Sequence, residues 1–160
     1  MQDHFLEKIV ARKPTATTRI FQIVLVAAAA LVILTSVLLA GPVLGVLLAV
    51  AAGWGCWALL QRQQVEYEYS VTNGDLDIDI IYAQARRKHL LTIKPDQMEE
   101  LAVYGGTPAT GAKVIDCSSA ADAKGRWQLL YKGSQGKGSL IFEPSDQMVD
   151  TLRKFARLHY

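Results

Sequence analysis

The chain has 160 residues, of which 51% are hydrophobic and 20% charged, and its formal net charge is +2. From Arg62 onward 13 basic and 13 acidic residues balance, so this part lacks the positive potential of a nucleic-acid-binding protein. Two cysteines, Cys56 and Cys117, are too few for a disulfide framework, and the spacing of His and Cys predicts no metal site or cofactor.

Residues 1–19 are predicted to form an amphipathic segment on the cytoplasmic side. Four apolar side chains recur at helical spacing between polar ones, and Pro14 ends the pattern. Such a segment could lie on a membrane surface or pack against the soluble domain, and the pattern leaves both open. The four side chains are Phe5, Leu6, Ile9 and Val10.

Residues 20–61 carry no charged side chain and are interrupted once, at Gly41-Pro42. A membrane-spanning helix needs roughly 20 mostly apolar residues, which predicts two helices, at residues 20–40 and 43–60. The first run is too long for the apolar region of a signal peptide, and neither run has the polar face of a soluble helix. The sequence therefore predicts a transmembrane α-hairpin.

Basic residues flank the predicted hairpin and are absent from its turn. By the positive-inside bias, both termini are predicted to face the cytoplasm, in a multi-pass protein of the cell membrane. The helices hold no charge that could conduct or relay an ion, which argues against a transporter or channel. The flanking residues are Lys8, Arg12, Lys13 and Arg19 before the hairpin and Arg62 after it.

Small residues mark places where the helices can approach a neighbour closely. Gly41 and Gly45 form a GxxxG pair, and residues 27–30 are all alanine. These positions could pack the hairpin against itself or join copies of the chain in a homo-oligomer.

Residues 62–160 are predicted to form one cytoplasmic α+β domain. Alternation of apolar and polar residues in Val65–Thr72 predicts a half-buried antiparallel strand, and Asn73-Gly74 predicts a tight hairpin turn after it. Ser145 is predicted to cap a C-terminal helix with an apolar stripe. About seven short antiparallel strands and one helix are typical of a small barrel or sandwich closed at one end. The other six strands are predicted at residues 76–80, 89–93, 98–104, 113–117, 126–132 and 138–143.

Seven strands followed by a helix is the order of the pleckstrin-homology (PH) superfold. The strings EYEY at residues 66–69, NGDLDID at 73–79, RRK at 86–88 and FEPS at 142–145 carry a closer resemblance. They resemble an uncharacterised family of small Gram-positive bacterial membrane proteins with two transmembrane helices followed by a PH-like domain. The resemblance spans nearly the whole chain, implies a PH-like fold, and includes no catalytic motif.

Arg86, Arg87 and Lys88 are predicted to form a basic turn before the third strand. Such a turn could contact a partner or anionic lipid head groups, at about 1 kcal/mol per charge, or simply be solvated. Lipid-binding members of the PH group carry basic residues around their first hairpin loop. The corresponding loop is predicted at residues 73–75, which is short and acidic, so a phosphoinositide pocket is not predicted.

Asp75, Asp77 and Asp79 resemble the opening of a calcium-binding loop. An EF-hand also needs Gly at the sixth position and Glu at the twelfth, where this chain has Ile80 and Arg86. The three acids are therefore predicted to lie on the solvent face of a strand.

Glu66 and Glu68 are predicted to face the same solvent across the hairpin, where Arg87 or Lys88 would neutralise them. No nucleophile or base accompanies these carboxylates, which argues against catalysis. Residues 133–138 lack the Ser or Thr that follows Gly-Lys in a phosphate loop and are predicted to form a hairpin turn.

These observations predict a non-enzymatic, membrane-anchored PH-like binding or scaffold module. Its predicted role is to recruit a protein partner at the cytoplasmic face of the cell membrane. The alternative is that it senses anionic lipid head groups through Arg86, Arg87 and Lys88.

Overall fold

The computed structural model describes residues 5–107, 111–133 and 136–157. The chain divides into two compact units. The helical unit comprises residues 13–64, and the globular unit combines the segment up to Arg12 with the chain from Val65 onward. The first strand of the globular unit thus precedes the helices in the sequence.

The helical unit consists of α1 (Ala16–Leu39) and α2 (Pro42–Gln61). Both helices are long and apolar enough to cross a membrane, and only 6% of the most apolar stretch of each is buried. They therefore differ from the core helices of a soluble protein. α1 begins earlier than predicted because Thr15 caps it, its hydroxyl accepting the N–H of Thr18 at 3.3 Å.

The two helices pack closely against each other near their connection. A Cβ atom on Gly45 would lie 2.7 Å from the carbonyl oxygen of Ser36, and the Ser36 hydroxyl donates to the Gly45 carbonyl at 3.3 Å. Gly41 instead forms the turn, with φ of 79°, before Pro42 begins α2. Gly45 thus packs the hairpin against itself, which is one of the two roles predicted for it.

Residues 5–11 form a strand, β1 (Phe5–Ala11), and the helical interpretation of this segment is wrong. β1 pairs antiparallel with β2 (Val65–Thr72) along its whole length. Val10 is buried, whereas Ile9 is exposed, so the two side chains lie on opposite faces. The pattern misled because residues four apart share a face in a helix and in a strand alike.

Sheet A is an antiparallel meander in the order β1-β2-β3-β4. β3 (Asp75–Tyr82) follows β2 through Asn73 and Gly74, whose φ angles of 52° and 94° confirm the predicted tight turn. β4 is Arg86–Ile93 and begins earlier than predicted.

Sheet B has the order β5-β7-β8-β6, with β6 parallel to β8. A short 3-10 helix (Pro95–Gln97) precedes it, and α3 (Asp146–Arg157) follows it. All seven predicted strands are present, and β1 makes the eighth in the described residues. The two sheets and the helix give the predicted PH-like α+β fold, although the barrel is not closed. The strands of sheet B are β5 (Met98–Val103), β6 (Lys113–Asp116), β7 (Trp127–Gly133) and β8 (Gly136–Phe142).

The core of the globular unit forms between the inward faces of both sheets and α3. Tyr69 is fully buried and meets the ring of Phe142 edge to face, with centroids 5.6 Å apart. The Tyr69 hydroxyl donates to the carbonyl of Cys117, so its polar atom is satisfied inside the core.

α3 has the predicted cap and apolar stripe. The N–H of Met148 donates to the Ser145 hydroxyl at 3.3 Å, and Met148 and Leu152 are fully buried. Phe155, one turn further on, packs its ring on Gly74 in the β2–β3 turn. α3 thereby fixes the end of sheet A that carries this turn.

Candidate functional site

One face of sheet A points away from the core and holds most of the charged side chains of that sheet. On β2, Tyr67, Tyr69 and Val71 are buried, so the residues between them point outward. The residues paired with these outward-pointing positions on β1 and β3, and in turn on β4, point to the same side of the sheet. We call this surface the outer face of sheet A, and its residues are Phe5, Glu7, Ile9, Ala11, Glu66, Glu68, Ser70, Thr72, Asp75, Asp77, Asp79, Ile81, Arg87, His89 and Thr92.

Carboxylates crowd the outer face. Glu68 lies opposite Asp79, and Ser70 separates Glu7 from Asp77. The predicted gathering of carboxylates on one face is therefore confirmed, and β1 extends it by adding Glu7. The six carboxylates belong to Glu7, Glu66, Glu68, Asp75, Asp77 and Asp79, against the basic side chains Arg87 and His89.

Glu68 is the buried member of this group, with 6% of its surface exposed. Arg87 forms an ion pair with Glu68, and another guanidinium nitrogen lies 4.0 Å from Asp79. Burial raises the pKa of Glu68, Arg87 opposes that rise, and the nearby carboxylates of Glu7 and Asp79 add to it. The prediction that a basic side chain of the same sheet neutralises these carboxylates is confirmed for Arg87 and Glu68.

A second polar group occupies the β3–β4 edge of the outer face. The Nδ1 atom of His89 lies 2.8 Å from an Asp79 carboxylate oxygen. The Thr92 hydroxyl donates to Asp77 and lies 3.1 Å from Nε2 of His89. These contacts hold Asp77 and Asp79 in place while leaving His89 and Thr92 exposed.

The cluster of Arg86, Arg87 and Lys88 lies in β4, and its interpretation as a turn is wrong. The turn is made by residues 83–85, of which Ala83 and Gln84 have positive φ. Alternation then places Arg87 on the outer face, and Arg86 and Lys88 on the opposite one. The three cations therefore do not form one surface, and their contact with lipid or a partner stays a prediction.

Phe5 and Ile9 add exposed apolar surface to the outer face. Their exposed fractions are 59% and 51%, and Glu7 lies between them on the edge strand β1. Sequence reasoning missed this contribution because residues 5–10 were interpreted as a helix. The polar residues at positions 7 and 8 were compatible with either structure.

The first hairpin connection of the domain is the whole helical unit rather than residues 73–75. The backbone N–H of Arg12 donates to the carbonyl of Val65 at 2.9 Å, continuing the β1–β2 pairing to the ends of the helical unit. Residues 73–75 join β2 to β3 and form the second connection. The absence of a lipid pocket, which was inferred from the acidity of residues 73–75, therefore stays a prediction.

Other candidate chemistry finds no support in the described residues. Among them, no three His, Cys, Asp or Glu side chains are grouped to hold a metal ion, and His4 and His159 lie outside them. Burial raises the pKa of the Cys117 thiol to about 12, so it is not a nucleophile near neutral pH. Gly133 ends β7 and Gly136 begins β8, as a hairpin requires, with residues 134–135 outside the described part.

Comparison with protein-family models gives a match over nearly the whole chain. A family model described as "Bacterial PH-like domain (DUF6106)" matches residues 2–160, and so includes β1, both long helices and α3. No curated protein and no solved structure matches the chain.

Proposed function

Because the chain belongs to the bacterial PH-like domain family (DUF6106), we propose that it is a membrane-anchored binding module that recruits a protein partner at the cytoplasmic face of the cell membrane. The match to a PH-like family supports a binding or scaffold role in general. PH-like folds serve many functions, so the specific role is argued from the surface. The specific surface proposed here is the outer face of sheet A, and no catalytic step is assigned to it.

The pairing of β1 with β2 supports a membrane hairpin with both ends on one side. β1 precedes α1, and β2 follows α2, yet the two strands are hydrogen-bonded neighbours. A chain that crossed the bilayer an odd number of times would separate them. The flanking basic residues Lys13, Arg19 and Arg62 then favour the cytoplasmic side.

The observation that carries the proposed role is the combination of apolar and acidic side chains on the outer face. Phe5 and Ile9 are more than half exposed at the edge strand, beside the carboxylate of Glu7, and Asp77 lies on the same face beyond Ser70. Exposed apolar groups next to one sign of charge mark a surface for a complementary protein. The proposed partner therefore presents apolar side chains flanked by Lys or Arg.

Site-specific photo-crosslinking of the full chain in its native membrane tests this proposal. We expect p-benzoylphenylalanine in place of Ile9 to capture one product of defined mass, cross-linked at a segment rich in Lys and Arg. Glu7→Lys with Asp77→Lys, a charge reversal at two positions, should abolish the product because it removes most of the negative charge of the surface. The control places p-benzoylphenylalanine at the exposed Lys113 on sheet B, where the same product would contradict the proposal. A product that persists after the charge reversal would contradict it as well.

A second function, sensing of anionic lipid head groups, is favoured by the position of Arg86. Arg86 lies opposite Tyr82, which lies opposite Val65, the first residue of β2. Only residues 62–64 join Val65 to α2, and three residues span at most about 10 Å. Head-group contact of Arg86 and Lys88 would contribute about 1 kcal/mol per charge.

A nitroxide attached at Gln84→Cys, in the exposed turn before β4, distinguishes this second function. In vesicles containing anionic lipid, the label should become less accessible to a water-soluble relaxant than in zwitterionic vesicles. Arg86→Ala with Lys88→Ala should remove that difference, whereas the matched charge loss Lys113→Ala with Lys132→Ala should leave it. Accessibility that does not depend on lipid charge would reject the second function.

A further inference from the structure

We propose that the helical unit binds one anionic phospholipid in a groove at the basic end of the hairpin. The inference rests on the proposed membrane insertion. The groove has a volume of about 710 Å³ and is formed by one side of α1 and the end of α2. The residues that matter here are Arg19, Gln22, Ile23, Val26, Ala27 and Leu60.

The groove is built by helical spacing. Positions 19, 22, 23, 26 and 27 lie on one face of α1, because residues three and four apart are neighbours on a helix. Ala27 has a small side chain, which leaves space over the backbone at the inner end. Leu60 of α2 forms the opposite wall. The result is an apolar channel with a polar end at Arg19.

The polarity of the groove changes along the helix as it does across a lipid leaflet. α1 has 24 residues, which corresponds to a length of about 36 Å. The hydrocarbon core is about 30 Å thick, so the first turn of a spanning α1, including Arg19, reaches head-group level. Val26 and Ala27 lie about two turns deeper, in the region of the acyl chains.

The charge of the groove selects the head group. Residues 13–64 contain Lys13, Arg19 and Arg62 but no Asp or Glu. Among the ion pairs of the described residues, none involves Arg19. A guanidinium binds phosphate oxygens through two parallel hydrogen bonds, and the Gln22 amide, one turn deeper, can donate to an ester carbonyl. A phospholipid with net negative charge therefore suits both polar side chains of the groove, Arg19 and Gln22.

Spin-labelled lipids measure this selectivity directly. We expect the full chain in phosphatidylcholine vesicles to restrict labelled phosphatidylglycerol severalfold more than labelled phosphatidylcholine. Arg19→Gln should bring that ratio close to one. Arg62→Gln is the matched control, since it removes the same charge at the same end of the hairpin but does not line the groove.

A steric pair tests the groove independently of charge. Ala27→Phe should fill the groove and lower the preference for phosphatidylglycerol, whereas Ala28→Phe, on an exposed neighbouring face, should not. If Arg19→Gln and Arg62→Gln lowered the preference for phosphatidylglycerol equally, the proposal would be overturned, because the preference would then come from diffuse surface charge. A dimer that Ala27→Phe disrupts would also overturn it, since a second copy would then occupy the groove.

The same preparation separates this inference from the proposed membrane anchoring. Extraction of the chain from vesicles by alkaline carbonate would reject the anchoring and the lipid site together. Retention of the chain without any lipid preference would reject the lipid site alone.

Discussion

The Arg87 guanidinium on β4 and the Glu68 carboxylate on β2 form an ion pair that reaches across β3. The two partners differ in exposure, with 58% of the Arg87 side chain but only 7% of the Glu68 side chain accessible to solvent. Arg87 therefore loses little hydration in the pair, while burial raises the pKa of Glu68 and the charge of Arg87 opposes that rise.

This asymmetry predicts a pH dependence of the stability of the globular unit. Because the pKa of Glu68 is raised above its ordinary value of 4.5, the folded state holds the proton more tightly than the unfolded state. The stability that Glu68 contributes is therefore complete below that ordinary value and is lost as pH rises through the raised pKa. Glu68→Gln should flatten this part of the stability curve, and Arg87→Gln should steepen it.

The measurement is the melting temperature of the full chain in detergent, followed by Trp127 fluorescence after Trp54→Phe and Trp57→Phe. At neutral pH, Glu68→Gln should change the free energy of unfolding by no more than about 1 kcal/mol. An unchanged pH slope in Glu68→Gln would show that another group dominates the titration.

Gly74→Ala should destabilise the globular unit more than the same change at Gly106. Both glycines have positive φ, so each substitution carries backbone strain of about 1 kcal/mol. At Gly74 the new Cβ would also lie 2.6 Å from Cγ of Phe155, whereas at Gly106 it would meet nothing within 4 Å. Overpacking should add about 1–3 kcal/mol at Gly74, measured by thermal unfolding. Equal losses at both positions would contradict the contact between α3 and the turn.

Gly45→Val should weaken the α1–α2 contact, because even a Cβ at this position would lie 2.7 Å from the carbonyl oxygen of Ser36. Gly53→Val is the control on the same helix, where a Cβ would meet nothing within 4 Å. Titration with sodium dodecyl sulfate, followed by circular dichroism, should show earlier unfolding for Gly45→Val only. Similar unfolding midpoints for both variants would contradict a close contact between α1 and α2 at Gly45.

Val10→Ala and Ile9→Ala test whether residues 5–11 form a strand. Val10 is 8% exposed and belongs to the core, so its truncation should cost about 1–3 kcal/mol. Ile9 is on the opposite face, and its truncation should change stability by less than about 0.5 kcal/mol. Losses of similar size in thermal unfolding would instead favour a helix that buries both side chains on one face.

Local signals predicted the centre of sheet A well. Val65–Thr72 alternates strictly, and Asn73-Gly74 suits a turn with two positive φ angles, so β2 and β3 follow from neighbouring residues alone. The turn before β4 was predicted at residues 86–88 rather than 83–85, because Ala83 and Gln84 adopt positive φ without being residues that favour it. The start of β4 was consequently placed too late.

The candidate site was only partly predictable, because part of it is formed by strands that are distant from each other in the sequence. The carboxylates of β2 and β3 could be placed on one face from period and turn. The contribution of Phe5 and Ile9 required knowing that β1 pairs with a strand on the far side of two helices. No pattern within residues 5–11 encodes that partner.

The position of β1 ahead of the helices affects both the folding of the globular unit during synthesis and its isolation from the helices. β1 is synthesised first but has no partner until β2 has followed the helical unit out of the ribosome, so sheet A is completed late. A fragment beginning at Arg62 would leave β2 as a bare edge, which invites aggregation. Since Arg12 bonds to Val65, a two-residue Asn-Gly turn between them could replace the helices and yield a free-standing domain.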